Sequence, residues 1–347
     1  MLFIHQYAAI SAQATFPNGY IDEVFAPVEN KLYAKEPLYE EIPKGSLRRM
    51  SKPVRMGIGA AMAVLKDAST PAGIIIGTAN AGMDDCFRFL EQLIQYEEGP
   101  LTPGSFVQST PNALPGQLGM MTQNHGYNVT HVHLGTAFEN ALIDAAMMVE
   151  ENPEATYLVG AVDDISAYNH NINRLDGWYK ENFPANGDFY ATGVNGSIPG
   201  EGAAMFHVSG KSVGSIAGIV AIDTLHTSEP AVAGAHLARF LALHLPEGNP
   251  LDIFLSGENG DQRMLSFYMA CEAELAPSTA VLRFKHLSGE FPTASSMGVW
   301  ISCSIFQRQR FPQHLLKSPS ACTQFKYILL YNTFKGVQHS FILLSAS

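Results

Sequence analysis

Covalent chemistry would be expected at one turn in this chain, and the residue standing there is Gly135. The stretch Asn128-Val-Thr-His-Val-His-Leu-Gly-Thr-Ala-Phe-Glu-Asn-Ala-Leu142 reads as a buried strand, a tight turn and an Ala-rich helix. A second strand follows at Tyr157-Leu-Val-Gly-Ala-Val162. Strand, elbow and helix together hold a nucleophile at a helix N-terminus, where the positive end of the dipole lowers a thiol pKa. The elbow carries no Cys, Ser or Lys, so the frame is present without its nucleophile. The four cysteines, Cys86, Cys271, Cys303 and Cys322, show no paired spacing and no CxxC, which suits a reducing cytoplasm. Cys86 follows Asp84 and Asp85, whose charges would raise its pKa, so it is a poor replacement nucleophile. Cys303 shares an apolar helix face with Val299 and Phe306 and reads as core.

His131 and His133 lie two apart on the strand and share a face. With His125 they could hold zinc, but no Cys, Asp or Glu stands at ligand spacing. They read instead as strand histidines near a subunit interface, and no metal site is expected. Gly57-Ile-Gly-Ala-Ala-Met62 lacks the third glycine of a dinucleotide fingerprint and sits within a helical pattern. Lys44, Arg48, Arg49, Lys52 and Arg55 form the densest basic cluster. Such a cluster serves either as an anion-docking patch or as a solvated turn and helix start.

These residues need a scaffold, and the hydropathy pattern supplies one. Strand-like runs are predicted at Leu2–Ile10, Gly73–Gly77, Val129–Leu134, Thr156–Val162 and Ala203–Val208. A second set falls at Ser215–Ile222, Asp252–Leu255, Ala280–Phe284, Tyr327–Tyr331 and Ser340–Leu344. Helical patterns lie between them at 54–66, 83–95, 137–150, 232–245, 262–274 and 294–306. Continuous apolar strands alternating with helices imply sheets buried on both faces, hence layered α/β. Residues 169–196 and 307–323 read as long surface loops, and Ser209-Gly-Lys-Ser-Val213 as a join between halves 1–210 and 211–347. With 46% hydrophobic residues, 347 residues can bury a large core. The net charge of −11 argues against nucleic acid as partner. No apolar run reaches ~18 residues, so no membrane span is expected. No secretion leader is visible, and a cytoplasmic location is expected.

In order and spacing the chain resembles the beta-ketoacyl synthases of the thiolase fold. Arg49-Met-Ser-Lys-Pro53 and the following helix look like the family's first crossover, and Gly73-Ile-Ile-Ile-Gly-Thr78 like its "V-I-G-T" strand. Pro111-Asn-Ala-Leu-Pro-Gly-Gln117 resembles the segment before the nucleophile strand, and Gly200-Glu-Gly-Ala203 a "G-E-G-A" signature. Tyr331-Asn-Thr-Phe-Lys-Gly336 resembles the "N-S-F-G-F-G-G" turn before the last strand. The resemblance implies a five-layer αβαβα sandwich of two duplicated halves. It also implies a catalytic cysteine at position 135 and two histidines at positions 258 and 290. This chain has Gly135, Glu258 and Glu290 instead, and retains the family's lysine as Lys285. By the same resemblance Glu258, Lys285 and Glu290 should converge, and Phe334, with Phe138, should border the acyl pocket. A carboxylate would repel the enolate charge that an imidazole stabilises.

The expectation is therefore a catalytically deficient subunit of the chain-length-factor type. It would pair with an active ketosynthase in polyketide, aryl-polyene or fatty-acid-like biosynthesis. It would use no cofactor of its own, the phosphopantetheine arriving on an acyl carrier protein. Two alternatives are a hydrolase or transferase working through Glu258, Glu290 and Lys285, and a homodimeric acyl-binding scaffold.

Overall fold

The computed structural model describes residues 1–80, 82–183, 188–191, 193–318 and 324–347, so Cys322 lies outside the described residues. The first half runs β1 (Leu2–Ile10), α1 (Lys52–Leu65), β2 (Gly73–Thr78), α2 (Met83–Gln95), α3 (Pro103–Gln108), α4 (Ala113–Thr122), β3 (Tyr127–Val132), α5 (Ala137–Glu151), β4 (Thr156–Asp163), α6 (Ala167–Leu175) and β5 (Gly202–Ser209). The second runs β6 (Ala217–His226), α7 (Pro230–His244), β7 (Ile253–Ser256), α8 (Leu265–Glu272), β8 (Ala280–Arg283), α9 (Ser295–Arg308), β9 (Leu316–Ser318), β10 (Tyr327–Phe334) and β11 (Gln338–Ala346).

The strand order is β3-β2-β4-β5-β1-β6-β11-β10-β7-β8-β9. Taken by rank in each half, both sheets read third, second, fourth, fifth, first, so the topology is duplicated. The short strand β9 extends the second sheet, and the halves join edge to edge where Leu2, Phe3 and Ile4 face Ile219, Gly218 and Ala217. Three buried clusters define the layers. One lies between α1, α4 and the outer face of the first sheet, and one between α7, α8 and the outer face of the second. The largest holds α5 and α9 between the two sheets. The result is a five-layer αβαβα sandwich. Twelve residues of α9 are buried, from Ser295 to Phe306, as a central-layer helix requires. In α2, by contrast, only Asp85 is buried.

Gly77 shows why the layers come so close at the elbow. A Cβ there would lie 2.6 Å from the Ala137 carbonyl oxygen, so α5 starts directly on the backbone of β2.

Several expectations need correction. The strand expected as buried over 129–134 ends at Val132 and lies at the sheet edge, paired among the described residues with β2 alone. Alternating polarity along a strand reports its two faces and says nothing about whether its edge is paired. Residues 169–196 are more than a surface loop: α6 reaches Leu175, and Trp178 and Tyr179 wall a cleft. In the other expected loop, α9 extends to Arg308 and residues 316–318 form β9. The helices α3 and α4 were hidden by Pro103, Gly104, Pro115, Gly116 and Gly119. Pro103 stands at a helix start, where its missing N–H costs nothing.

Candidate functional site

After β3 the chain makes one 3₁₀ turn, Leu134–Thr136, and enters α5. Leu134 has φ 51°, a left-handed backbone that non-glycine residues seldom adopt. Gly135 is buried, and its surroundings explain why no larger residue stands there. A Cβ on Gly135 would collide with Phe334 Cβ and stand 2.6 Å from Phe334 Cγ. Phe334 thus fills the volume a nucleophilic side chain would need. The backbone amide of Gly135 is engaged, donating to Gln338 Oε1 at 2.9 Å. The side chain of Gln338 is tied back in turn, its Nε2 donating to the His133 carbonyl at 3.3 Å.

The three charged residues expected to converge divide into two groups. Lys285 has no exposed surface, and its ammonium donates to Glu290 Oε1 at 2.9 Å. Glu290 Oε2 accepts from Asn259 Nδ2 at 2.7 Å. The Glu258 carboxylate is held elsewhere, by Arg283 Nη1 at 3.1 Å and Lys317 Nζ at 2.6 Å. Lys317 also reaches Glu272 at 2.7 Å. The separation has a simple cause: β8 and the edge strand β9 supply two cations to Glu258. Sequence spacing cannot show β9.

Gly200-Glu-Gly-Ala203 acts as a hub. Glu201, fully buried, accepts the amides of Ala34 at 2.8 Å and Ile165 at 3.0 Å and forms an ion pair with Lys52. Gly200 N donates to the Glu290 carbonyl at 3.0 Å, which ties this segment to the Lys285–Glu290 pair.

The structure adds Glu139, Asp164 and Gln338 to the residues that sequence reasoning selected. Glu139 lies in the first turn of α5 and is fully buried. Burial pushes its pKa up; the Ser295 and Ser340 hydroxyls and the Lys285 charge offset only part of that. Its signal was available: Glu139 is three residues before Leu142 on a helix face otherwise apolar. Of the two residues expected at an acyl pocket, Phe334 borders the cleft below. Phe138 lies in the central core against Phe206, with ring centroids 5.9 Å apart.

A narrow cleft opens beside the elbow. Its polar walls come from Asp164, Ser166, Asn173, Tyr179, Glu290 and Lys335. Burial, then the nearby charges of Asp84, Glu201 and Asp163, push Asp164 up to about 8. Burial holds His170, also in the cleft wall, below its usual range. Behind Asp164 lies a second cleft, rimmed by Arg48, Arg49, Lys52, Arg55 and Arg88. Two members of the basic cluster are already committed, Lys52 to Glu201 and Arg55 to Glu36 at 2.8 Å, while Lys44, Arg48 and Arg49 are exposed.

On the edge strand, His131 Nε2 contacts Asp144 Oδ2 at 2.7 Å and His133 is exposed. Among the described residues no group of three or more His, Cys, Asp or Glu side chains could hold a metal ion. No described helix is long and apolar enough to cross a membrane.

Residues 27–175 match the family described as beta-ketoacyl synthase, N-terminal domain. A beta-ketoacyl synthase from Burkholderia phymatum has the same fold, at 13% identity, a TM-score of 0.76, and coverage of 100% of this chain and 99% of that one. So does a type II polyketide synthase ketosynthase in complex with its acyl-carrier protein, at 15% identity, TM-score 0.74, and the same coverage of both chains. A ketosynthase in complex with its chain length factor from Xenorhabdus doucetiae aligns at 12% identity and TM-score 0.74, over 100% of this chain and 98% of that one. A search of curated proteins by sequence finds no match.

Proposed function

We infer that this chain, which has the ketosynthase fold throughout and the beta-ketoacyl synthase N-terminal domain over residues 27–175, is a non-condensing subunit of the chain-length-factor type. One observation carries the reading. The position of the nucleophile is closed by Phe334, and the adjoining amide is spent on Gln338. A thiol is absent, and there is no room for one. The hydrolase alternative loses support because Glu258 lies in a different ion-pair network from Lys285 and Glu290.

A non-condensing subunit needs an active partner, and the edge strand β3 offers a place for it. Among the described residues no strand pairs with its outer edge, and around it Met120, Val132, Leu134 and Met147 each expose half or more of their surface. An unpaired strand beside exposed apolar side chains is a surface that proteins cover. The partner we assign is an active ketosynthase, with an acyl carrier protein delivering the phosphopantetheine-bound chain to that partner's cysteine. Arg48 and Arg49 are free to meet an acidic carrier. The relatives with this fold include a ketosynthase bound to its chain length factor and one bound to its carrier protein. The test is co-expression with a candidate ketosynthase, followed by size-exclusion chromatography and product analysis. A stable complex whose product length changes when this chain is omitted is expected. Monomeric behaviour with the ketosynthase present, and an unchanged product, would refute the assignment.

A further inference from the structure

Segments far apart in sequence meet at one chain of hydrogen bonds that neither the elbow nor its cleft uses. His314, in the 3₁₀ turn Gln313–Leu315, places Nε2 2.7 Å from the Ile21 carbonyl. Its Nδ1 lies 3.0 Å from Nε2 of His286, in the short helical turn Lys285–Ser288. His286 Nδ1 lies 2.8 Å from the Tyr190 hydroxyl, and that oxygen also accepts the backbone amide of His286 at 3.2 Å. These contacts fix every proton from one end. A carbonyl only accepts, so His314 carries its proton on Nε2. Neutral His314 then accepts at Nδ1, so His286 carries its own proton on Nε2 and accepts at Nδ1 from the Tyr190 O–H.

The chain closes into a ring of polar contacts. The Arg283 guanidinium lies 3.6 Å from the centre of the Tyr190 ring and pairs with Glu258 at 3.1 Å. Glu258 takes Lys317 at 2.6 Å, and Lys317 stands on β9, just beyond His314. Tyr190, the turn 285–288 and the segment 313–318 are thereby held to one another. The surrounding charges are already committed. Glu258 answers Arg283 and Lys317, Glu272 answers Lys317, and Lys285 turns to Glu290. Lys180 donates to the Phe189 carbonyl, Asp188 accepts the Tyr190 amide, and Asp22 beside Ile21 is exposed. Among the described residues no carboxylate pairs with His286 or His314. One added proton makes His286 Nδ1 a donor and costs the Tyr190 O–H its acceptor. A second sets two N–H groups against each other across the 3.0 Å between the imidazoles. Burial, then the charges of His314 and Arg283, hold His286 down to about 3.

We propose that His286 and His314 form an acid-released latch: it holds the segment 313–318 to Tyr190 and the turn 285–288 while both imidazoles are neutral, and lets go when both are protonated. Released histidines titrate near 6.5, whereas the closed pair holds one proton at most. Opening therefore takes up protons. The latch is complete above about pH 6.5, and its opening constant rises about ten-fold or more for each pH unit below that. It lies within this chain and does not depend on a ketosynthase partner.

The test is hydrogen–deuterium exchange of the isolated full chain between pH 7.5 and pH 4.5, corrected for the intrinsic pH dependence of exchange. Peptides covering 285–288 and 313–318 should lose protection by about a hundred-fold or more between pH 6.5 and pH 4.5. Peptides covering the buried strands β10 and β11 should keep theirs. The double variant His286→Gln/His314→Gln retains a donor and an acceptor at each position but cannot titrate, so its protection at 313–318 should not change with pH. Imidazole nitrogen NMR of the wild type at pH 7.5 should find both protons on Nε2, a readout that needs no variant. Protection at 313–318 that ignores pH in the wild type, or a loss shared equally by β10 and β11, would overturn the proposal. So would an unchanged pH dependence in the double variant, or an Nδ1–H tautomer on either ring.

Discussion

Replacing Gly135 with cysteine restores the missing thiol on paper, and the structure says that it should fail in a measurable way. The new Cβ would run into Phe334 Cβ, an atom fixed to the backbone that no rotamer change can move aside. Overpacking of a tight core costs about 1–3 kcal/mol, and the upper end applies when the opposing atom cannot turn away. Unfolding entropy of about 2.1 cal/mol/K per residue gives roughly 0.7 kcal/mol/K for this chain, so ~3 kcal/mol lowers Tm by about 4 °C. Phe334→Ala alone should also destabilise, through lost ring burial. Combining the two should cost less than the sum, with a coupling of about 1–3 kcal/mol, because removing the ring makes room for the thiol. Differential scanning calorimetry of the four proteins measures this directly. Intact mass after incubation with an acyl thioester adds a chemical readout. Gly135→Cys alone should remain unacylated, because its amide is still engaged by Gln338. If Gly135→Cys melts within a degree of wild type, or is acylated while Phe334 is in place, the plugged-site argument is wrong.

Three further outcomes are expected. Lys285→Met leaves Glu290 buried with only Asn259 as partner, which should cost about 3–5 kcal/mol and lower Tm by about 4–7 °C, read by calorimetry. Asp164 has a folded pKa raised above its unfolded value, so its contribution to stability falls as pH rises from about 4 to about 8; the Tm of Asp164→Asn relative to wild type should therefore climb between pH 5 and pH 8, and a constant difference would show a carboxyl of ordinary pKa. Val132→Lys puts a charge on the exposed end of β3 and should abolish pull-down of a partner ketosynthase while leaving the Tm of the isolated chain within about a degree, since exposed substitutions stay within about 0.5 kcal/mol.

The layered architecture was legible because burial on both faces leaves unbroken apolar strands such as Gly73–Thr78 and Tyr157–Val162. Gly135, Glu290 and Lys285 could be placed from local motifs, each being set by a turn within a few residues of its own position. Glu258 could not, because the cations that hold it come from Arg283 and from Lys317 on a three-residue strand. Nor could the plug. That Phe334 fills the space over Gly135 depends on a contact across about 200 residues of sequence, and no local pattern carries it. The cleft was missed for a related reason. Its walls join α6, Trp178 and Tyr179 to the turn at Lys335, and a stretch rich in Asn and Gly reads alone as solvent-exposed loop.

The turn at 334–338 ties together the packing over Gly135 and the wall of the cleft. The family pattern at this turn is rich in glycine, and glycines allow a backbone to shift. Here the run is Phe-Lys-Gly-Val-Gln. Phe334 closes the space over Gly135, Gln338 takes the amide of Gly135, and Lys335 aims a charge into the cleft. Residue 135 must then be glycine, since alanine would already collide with Phe334. The glycine is thus a packing requirement set by this turn. It follows that no single substitution makes room for a thiol at position 135 and also frees its amide. The thiol needs Phe334 moved and the amide needs Gln338 released, and a lone change at any one of the three positions leaves the other two obstacles standing.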